Sequence, residues 1–418
     1  MVRSATALAV LLFALASPAR AQSPFPPSTA ITAVRFAPVS DIVCDAADSD
    51  NWPITWADDG DLYTSFGDGW GFTPRTEIKL SMGFARVRGP GDAFMGTNIR
   101  SGSGERTGDG ASGAKASGML MVDGVLHMWV RNTGNATLYT SPDHAESWTV
   151  APWQLSTGFG APTFLNFGQN YASARDSYVY AYSQDGDSAY EIYDGAALAR
   201  APSNRIMEES AWEFFAGFEA DGTTPRWTSD VASRVPVLTH PGRSYRMEVA
   251  YVEALDRYLV LQAFGRTDAS WAMFDGPEPW GPWTTVVYED SGWDLSPNVH
   301  GYRLPTKWAS ADGRSAYLLF SGHDAYDAFC VRRMDLTLGA RPDGGVGDAG
   351  AGTDGGTVPG DAAVVGDGSR PDSDAGAGSP GSATGGCSCA VTARSDLHGL
   401  GWLAFGFACA LRRRRRSP

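Results

Sequence analysis

The sequence predicts an all-β fold, a five-bladed β-propeller, on three observations. Residues 30–338 are rich in Trp, Tyr, Phe, Val and Gly, with turn residues at short intervals and hardly any helical period. One unit recurs five times: a strand, a tight acidic or glycine turn, and a second strand ending in a polar cluster. The copies lie roughly fifty to eighty residues apart, the spacing of blades with long outer loops. A β-sandwich is the competing architecture, but it has no need of the same hairpin five times.

In chain order, Arg3 and the apolar run from Ala5 to Ala16, closed by Ala19, Arg20 and Ala21, form the layout of a secretory signal peptide over residues 1–21. The first copy runs from Trp52 to Trp56, turns at Asp58, Asp59 and Gly60, and returns from Leu62 to Phe66 and on to Gly67, Asp68 and Gly69. The second runs from Lys115 through Asp123 and Gly124 to Leu126–Val130, Arg131 and Asn132, and the third from Pro162 to Tyr182, Asp185 and Asp187. The fourth turns between Tyr245–Val249 and Tyr258–Leu261, and the fifth goes from Pro305–Trp308 through Asp312 and Gly313 to Tyr317–Phe320 and His323. Ile206 to Phe215 is the clearest helix-like interruption, either one short helix or an insertion. Ser141, Asp143 and Trp148 resemble the Asp-box turn of sialidase-like propellers, with Ala145 where glycine is usual; such a turn braces a hairpin far from any active site.

Residues 339–386 are almost wholly Gly, Ala, Asp, Ser, Pro, Thr and Val, too poor in apolar surface to offset ordering entropy, and read as a disordered linker. Residues 387–418 hold Cys387 and Cys389, a short apolar stretch from Leu400 to Leu411 and the arginine run 412–416. The basic run favours the cytoplasmic side. This order resembles the myxobacterial C-terminal sorting signals, which implies processing by a sorting protease near Cys387 and retention at the outer cell surface, with membrane contact through this segment alone.

A net charge of −14 without a basic face argues against a nucleic-acid partner. Of five cysteines only Cys44 and Cys330 belong to the body, where they either pair or remain two buried thiols. The chain carries neither the C-x-x-C nor the H-E-x-x-H pattern, and Asp185, Asp187 and Asp194 fit no EF-hand loop, so no metal and no cofactor are expected.

In a propeller the start of each innermost strand and the end of the next share a face. Asn51, Trp52, Lys115, Thr163, Arg246, Glu248 and Lys307 near the starts, and Trp70, Trp129, Arg131, Asn132, Asp185, Asp187 and His323 near the ends, are therefore expected to converge on one mouth, most of them to bind substrate. Asp50 and Asp68, one going into the first hairpin and one coming back, supply the carboxylate pair that glycoside cleavage needs, with aromatic faces to hold sugar rings. The plainer reading makes Asp68 a turn residue between two glycines and Asp50 a loop cap. Arg246 and Glu248, two apart, are alternatively a structural ion pair.

The runs Ser49–Gly60, Leu62–Asp68, Lys115–Leu120, Pro162–Gly168, Pro279–Trp283 and Pro305–Trp308 resemble a group of mostly uncharacterised secreted bacterial five-bladed propeller domains related to endo-D-arabinanases. That resemblance implies a glycoside hydrolase acting on a polysaccharide or glycoconjugate, arabinan-like in the relatives, with Asp50 and Asp68 at the positions of the proposed catalytic acids. The chain departs from many relatives in having Asn51, Trp52 and Pro53 after Asp50, and Gly69 and Trp70 after Asp68. A non-catalytic carbohydrate-binding propeller and an envelope interaction module are the competing functions. A polysaccharide lyase, leaning on His323, a tyrosine or Lys307 as base, is a variant of the first.

Overall fold

The computed structural model describes residues 22–340 apart from 266–268, 291–292, 296–298 and 324–326. The expected signal peptide, nearly all of the linker and the C-terminal sorting segment lie outside the described residues. Among the described residues no helix is long and apolar enough to cross a membrane.

The described chain is all-β, its strands joined by loops and single turns of 3-10 helix. Five antiparallel meanders follow one another. The first comprises Ile54–Trp56, Leu62–Phe66, Gly83–Arg88 and Met95–Ile99; the second Lys115–Val122, Val125–Arg131, Ala136–Ser141 and Thr149–Leu155. The third runs Thr163–Asn166, Tyr178–Gln184, Tyr193–Pro202, Glu213–Phe218 and Pro225–Thr228, with Leu238–Ser244 also pairing to Tyr193–Pro202. The fourth is Met247–Val252, Arg257–Ala263, Trp271–Gly276 and Thr284–Glu289. The fifth is His300–Arg303, Ser315–Ser321 and Phe329–Leu338, completed by the N-terminal strand Ile31–Phe36. The hairpin turns follow from residues that accept positive φ: Gly60 at +85°, and Asp123 and Gly124 at +51° and +75° between paired Val122 and Val125.

The first strands of successive meanders touch, and those of the third and fourth pair in parallel at Leu165↔Val249 and Asn166↔Ala250. The fifth meets the first through Asn51, whose N–H donates to Ser321 Oγ at 3.0 Å and whose carbonyl accepts from Arg303 at 3.3 Å. Gly118 lets two first strands close up, because a Cβ there would lie 2.5 Å from Thr163 Cα. The apolar cores lie between adjacent meanders: Tyr63, Phe84 and Met121 join the first to the second, and Trp52, Phe66, Leu319 and Phe329 join the first to the fifth.

Several expectations need correction. Ile206–Phe215 is no helix: two 3-10 turns, Ser203–Arg205 and Glu209–Ala211, lead into the strand Glu213–Phe218 because Trp212, Phe214 and Phe215 are drawn into the core. The first strand of the fifth meander is His300–Arg303, and Thr306–Trp308 is a 3-10 turn beyond it. The Ser141 turn does brace a hairpin: Asp143 accepts from Ser147 N at 2.8 Å, and Trp148 stacks on Phe84 of the first meander at 5.1 Å. Cys44 and Cys330 face each other across paired strands and are bonded, closing a chain separation of 286 residues.

Candidate active site

A cluster of titratable side chains gathers at one end of the first strands. Asp50 and Gly67 exchange backbone hydrogen bonds of 2.9 and 2.8 Å at the open end of the first hairpin. The two glycines around Asp68 are steric necessities. A Cβ on Gly67 would meet Asp50 Oδ1 at 2.7 Å, and one on Gly69 would meet the carbonyl of Asp48 at 2.2 Å. Asp68, at φ +43°, points its carboxylate to Lys115 Nζ, with which it forms an ion pair, and accepts from Gly110 N at 3.2 Å. It is more than a turn residue.

Asn51 and Trp52 both hold positive φ, +86° and +44°, a costly backbone for residues with side chains. It is over-determined from four sides: besides the bonds to Ser321 and Arg303, the Asn51 amide donates to the carbonyl of Ala116 and accepts from Arg131 at 3.4 Å. Two side chains from the fifth meander, His300 and Asp327, complete the acidic flank. His300 Nε2 lies 3.7 Å from Asp50 Oδ2 and 3.9 Å from Asp327 Oδ1. Asp50 Oδ1 and Asp327 Oδ1 are buried with no hydrogen-bond partner.

The two carboxyls are pushed in opposite directions. Burial raises Asp50, but His300, with Lys115 and Arg131 behind it, outweighs burial and holds it at about 2. Burial and the charge of Asp50 push Asp327 up to about 6. Asp50, His300 and Asp327 each bring a ligand atom within 4.8 Å of the other two, a trio that could hold a divalent cation, though it offers fewer oxygens than calcium takes.

Opposite stands a basic flank. Tyr190 OH accepts from Arg131 Nη1 and Asn132 Nδ2 at 3.0 Å each and donates to Gly110 O at 3.0 Å. Beneath both flanks lies a buried layer in which Glu248 accepts from Thr163 Oγ1 at 3.0 Å and Arg303 Nη1 at 2.9 Å. Burial lifts Glu248 to about 7 against the pull of Arg303. Glu248 thus pairs with Arg303 and not with Arg246.

Of the residues expected at the mouth, Asp50, Asp68, Lys115, Asn132 and Arg246 come together there, with Asn51, Arg131, Thr163 and Glu248 enclosed underneath. Trp70 is half-buried beside Arg75, with 5.9 Å between guanidinium and ring. His323 follows the second strand of the fifth meander. Three expectations are corrected. Trp52 and Trp129 are 0 % exposed and pack in the cores, because their indoles fill the wedge between meanders. Lys307, displaced by the shifted fifth meander, faces Asp61 at 3.8 Å at the turn end of the first hairpin. Sequence reasoning missed His300, Asp327, Tyr190 and Arg303. The displacement of the fifth copy's first strand to His300–Arg303 hid His300 and Arg303, and Tyr190 sits on a loop outside the recurring unit. A cavity of about 570 Å³ opens at the strand ends opposite this cluster, and Glu253 is its only carboxylate.

A model of a domain of unknown function, DUF4185, matches residues 119–332, just over half of the chain. The chain belongs to the DUF4185 family. The DUF4185 match takes in Arg131, Tyr190, Arg246, His300 and Asp327, while Asp50, Asp68 and Lys115 lie ahead of it. No curated protein matches the chain. Among solved structures, it is similar to an α-L-arabinofuranosidase from Podospora anserina (10 % identity, 69 % of this chain and 91 % of that one, TM-score 0.41). It is also similar to a GH43_1 enzyme from Xanthomonas citri (14 %, 74 % and 90 %, TM-score 0.40) and a GH62 α-L-arabinofuranosidase from Coprinopsis cinerea (11 %, 75 % and 97 %, TM-score 0.40). Likenesses of this size say nothing of activity, and the functional reading rests on the chain's own residues.

Proposed function

We propose that this DUF4185 protein is a five-bladed propeller that hydrolyses a polysaccharide at the mouth holding Asp50. The observation that carries the reading is the pair Asp50 and Asp327 around His300, two neighbouring carboxyls with opposite protonation preferences. Asp50 is the ionised carboxylate that attacks carbon or activates water, and Asp327 holds the proton the leaving oxygen takes. Asp68, expected from the sequence as Asp50's catalytic partner, is committed to Lys115 and positions that ammonium beside Asp50. The five meanders, the contacts between their first strands and the N-terminal strand closing the last sheet support the blade count. Export by residues 1–21 and surface retention through 387–418 belong to the same proposal, since they would place the mouth against extracellular glycan.

Reducing-end release from D-arabinan, arabinogalactan and other bacterial glycans tests it, read beside glycan-array binding. Asp50→Asn is expected to lose at least about a thousandfold in rate while still binding. Asp327→Asn should lose activity on natural linkages but keep it on an aryl arabinofuranoside, whose leaving group needs no proton. A wild-type chain that binds glycans and never releases sugar ends has the carbohydrate-binding function instead.

A further inference from the structure

The basic flank of the mouth holds a charge imbalance that hydrolysis of a neutral glycan does not use. Arg131 is 1 % exposed, and neither it nor Arg246 has a carboxylate within ion-pair distance among the described residues. Both guanidinium groups instead lie over one phenol, Arg131 at 5.3 Å and Arg246 at 5.0 Å from the Tyr190 ring centre. Arg131 spends Nη1 on Tyr190 and Nη2 on Asn51 Oδ1, and its Nε is buried without a partner. Arg246 donates Nε to Ala189 O at 3.1 Å, which leaves its two terminal nitrogens without a partner among the described residues.

A neutral phenol cancels neither charge, and enclosed charges without a counter-ion are costly. The local potential bears on both Tyr190 and Arg246. Burial would raise the Tyr190 hydroxyl, yet Arg131, Asn132, Arg246 and Lys115 pull it below the usual tyrosine range. Burial and the repulsion of Arg131 bring Arg246 down to about 10. The carboxylates of the mouth answer this need only from a distance: Asp50 acts on both guanidinium groups through space, but Asp68 is committed to Lys115, Asp50 and Asp327 face His300, and none of the three reaches an ion pair with Arg131 or Arg246. The mouth is therefore bipolar, acidic on the side of the first and fifth meanders and basic on the side of the second, third and fourth.

We infer that the glycan bound here is acidic, and that a sugar carboxylate seats on the free edge of the Arg246 guanidinium, with Arg131 and Tyr190 behind it. A guanidinium with two unused N–H edges matches a carboxylate bidentately. Seated there, a uronate orients its chain so that a neighbouring linkage lies toward Asp50. The inference rests on the proposed glycan-binding mouth and names its substrate class.

Calorimetry of the purified chain with oligogalacturonate, oligoglucuronate and oligomannuronate, each beside its carboxyl-reduced counterpart, tests it. At least one acid form is expected to bind ten-fold or more tighter than its reduced form, with the difference shrinking as salt rises. Arg246→Gln should erase the difference while the thermal midpoint holds or rises, since the variant sheds a charge that the fold leaves without an ion pair. Equal affinity for acid and reduced forms, a preference that survives Arg246→Gln, or no binding of any acid form overturns the inference. The hydrolase reading fails separately. If uronates bind through Arg246 and no sugar ends appear, the acidic seat stands and hydrolysis falls; if neutral arabinan is cleaved through Asp50 and no uronate is preferred, the reverse holds.

Discussion

Replacing Asp327 by Asn removes the carboxyl whose ionisation the fold opposes, at nearly constant shape. Its folded value of about 6 lies above the ordinary 3.8, so the folded state holds this proton more tightly than the unfolded chain does. Below pH 3.8 both states are protonated and the group contributes nothing to the balance. Between 3.8 and 6 the unfolded chain gains by ionising, and the folded state loses about 1.4 kcal/mol per pH unit; above 6 the loss levels off at about 3 kcal/mol. The side chain is 18 % exposed and shares its titration with Asp50, so about 3 kcal/mol is the ceiling of the effect. Urea denaturation of wild type and Asp327→Asn from pH 3.5 to 8 checks it. The variant's stability relative to wild type should climb by up to about 3 kcal/mol across the window from 3.8 to 6 and stay level on either side. A flat difference, or one that falls with rising pH, refutes the claim that burial and Asp50 raise this group.

Catalysis should follow the same two groups: with Asp50 ionised above about 2 and Asp327 protonated below about 6, wild-type turnover should decline as pH rises through 6, measured as reducing-end release. The double variant Cys44→Ser with Cys330→Ser opens a loop spanning 286 residues and should lower unfolding free energy by roughly 5 to 6 kcal/mol in denaturant titration; a loss under about 1 kcal/mol would contradict a role in closing the ring. Gly118→Ala forces a Cβ against the Thr163 backbone and should cost about 1 to 3 kcal/mol by thermal melting.

The fold was readable wherever a hairpin turn left a chemical mark. Gly60, and Asp123 with Gly124, stand at turns because few other residues accept their positive φ, and the strands on either side follow. The fifth copy misled because Thr306–Trp308 sits just where a first strand was expected, while the true strand, His300–Arg303, is only four residues long and begins with a histidine. That slip hid His300 and put Lys307 at the wrong end. Asp50 and Asp68 were legible because they share one hairpin, and a hairpin is a local object. Asp327 was not, because its partner is 277 positions away and no local pattern in the chain records that contact. The indoles of Trp52 and Trp129 show the limit of composition, since the residue type that stacks on sugars also fills cores.

The joint between the segment before the first meander and the last strand of the fifth explains why the acidic trio exists at all. Asp48 N donates to the carbonyl of Asp327 at 2.8 Å, Trp52 Nε1 donates to the carbonyl of Ala328 at 3.2 Å, and Cys44 is bonded to Cys330. These links join the segment before the first meander to the last strand of the fifth, and Asp50 and Asp327 sit among them. Like charges are thus brought together by covalent and hydrogen-bonded closure, not by any attraction of their own, and the fold bears the resulting repulsion as the raised Asp327. A chain that failed to close would separate Asp50 from Asp327 and let both ionise normally. The unequal pair on which the proposed hydrolysis depends is therefore a property of the closed joint, and a change that opens the joint should lower stability and equalise the two carboxyls together.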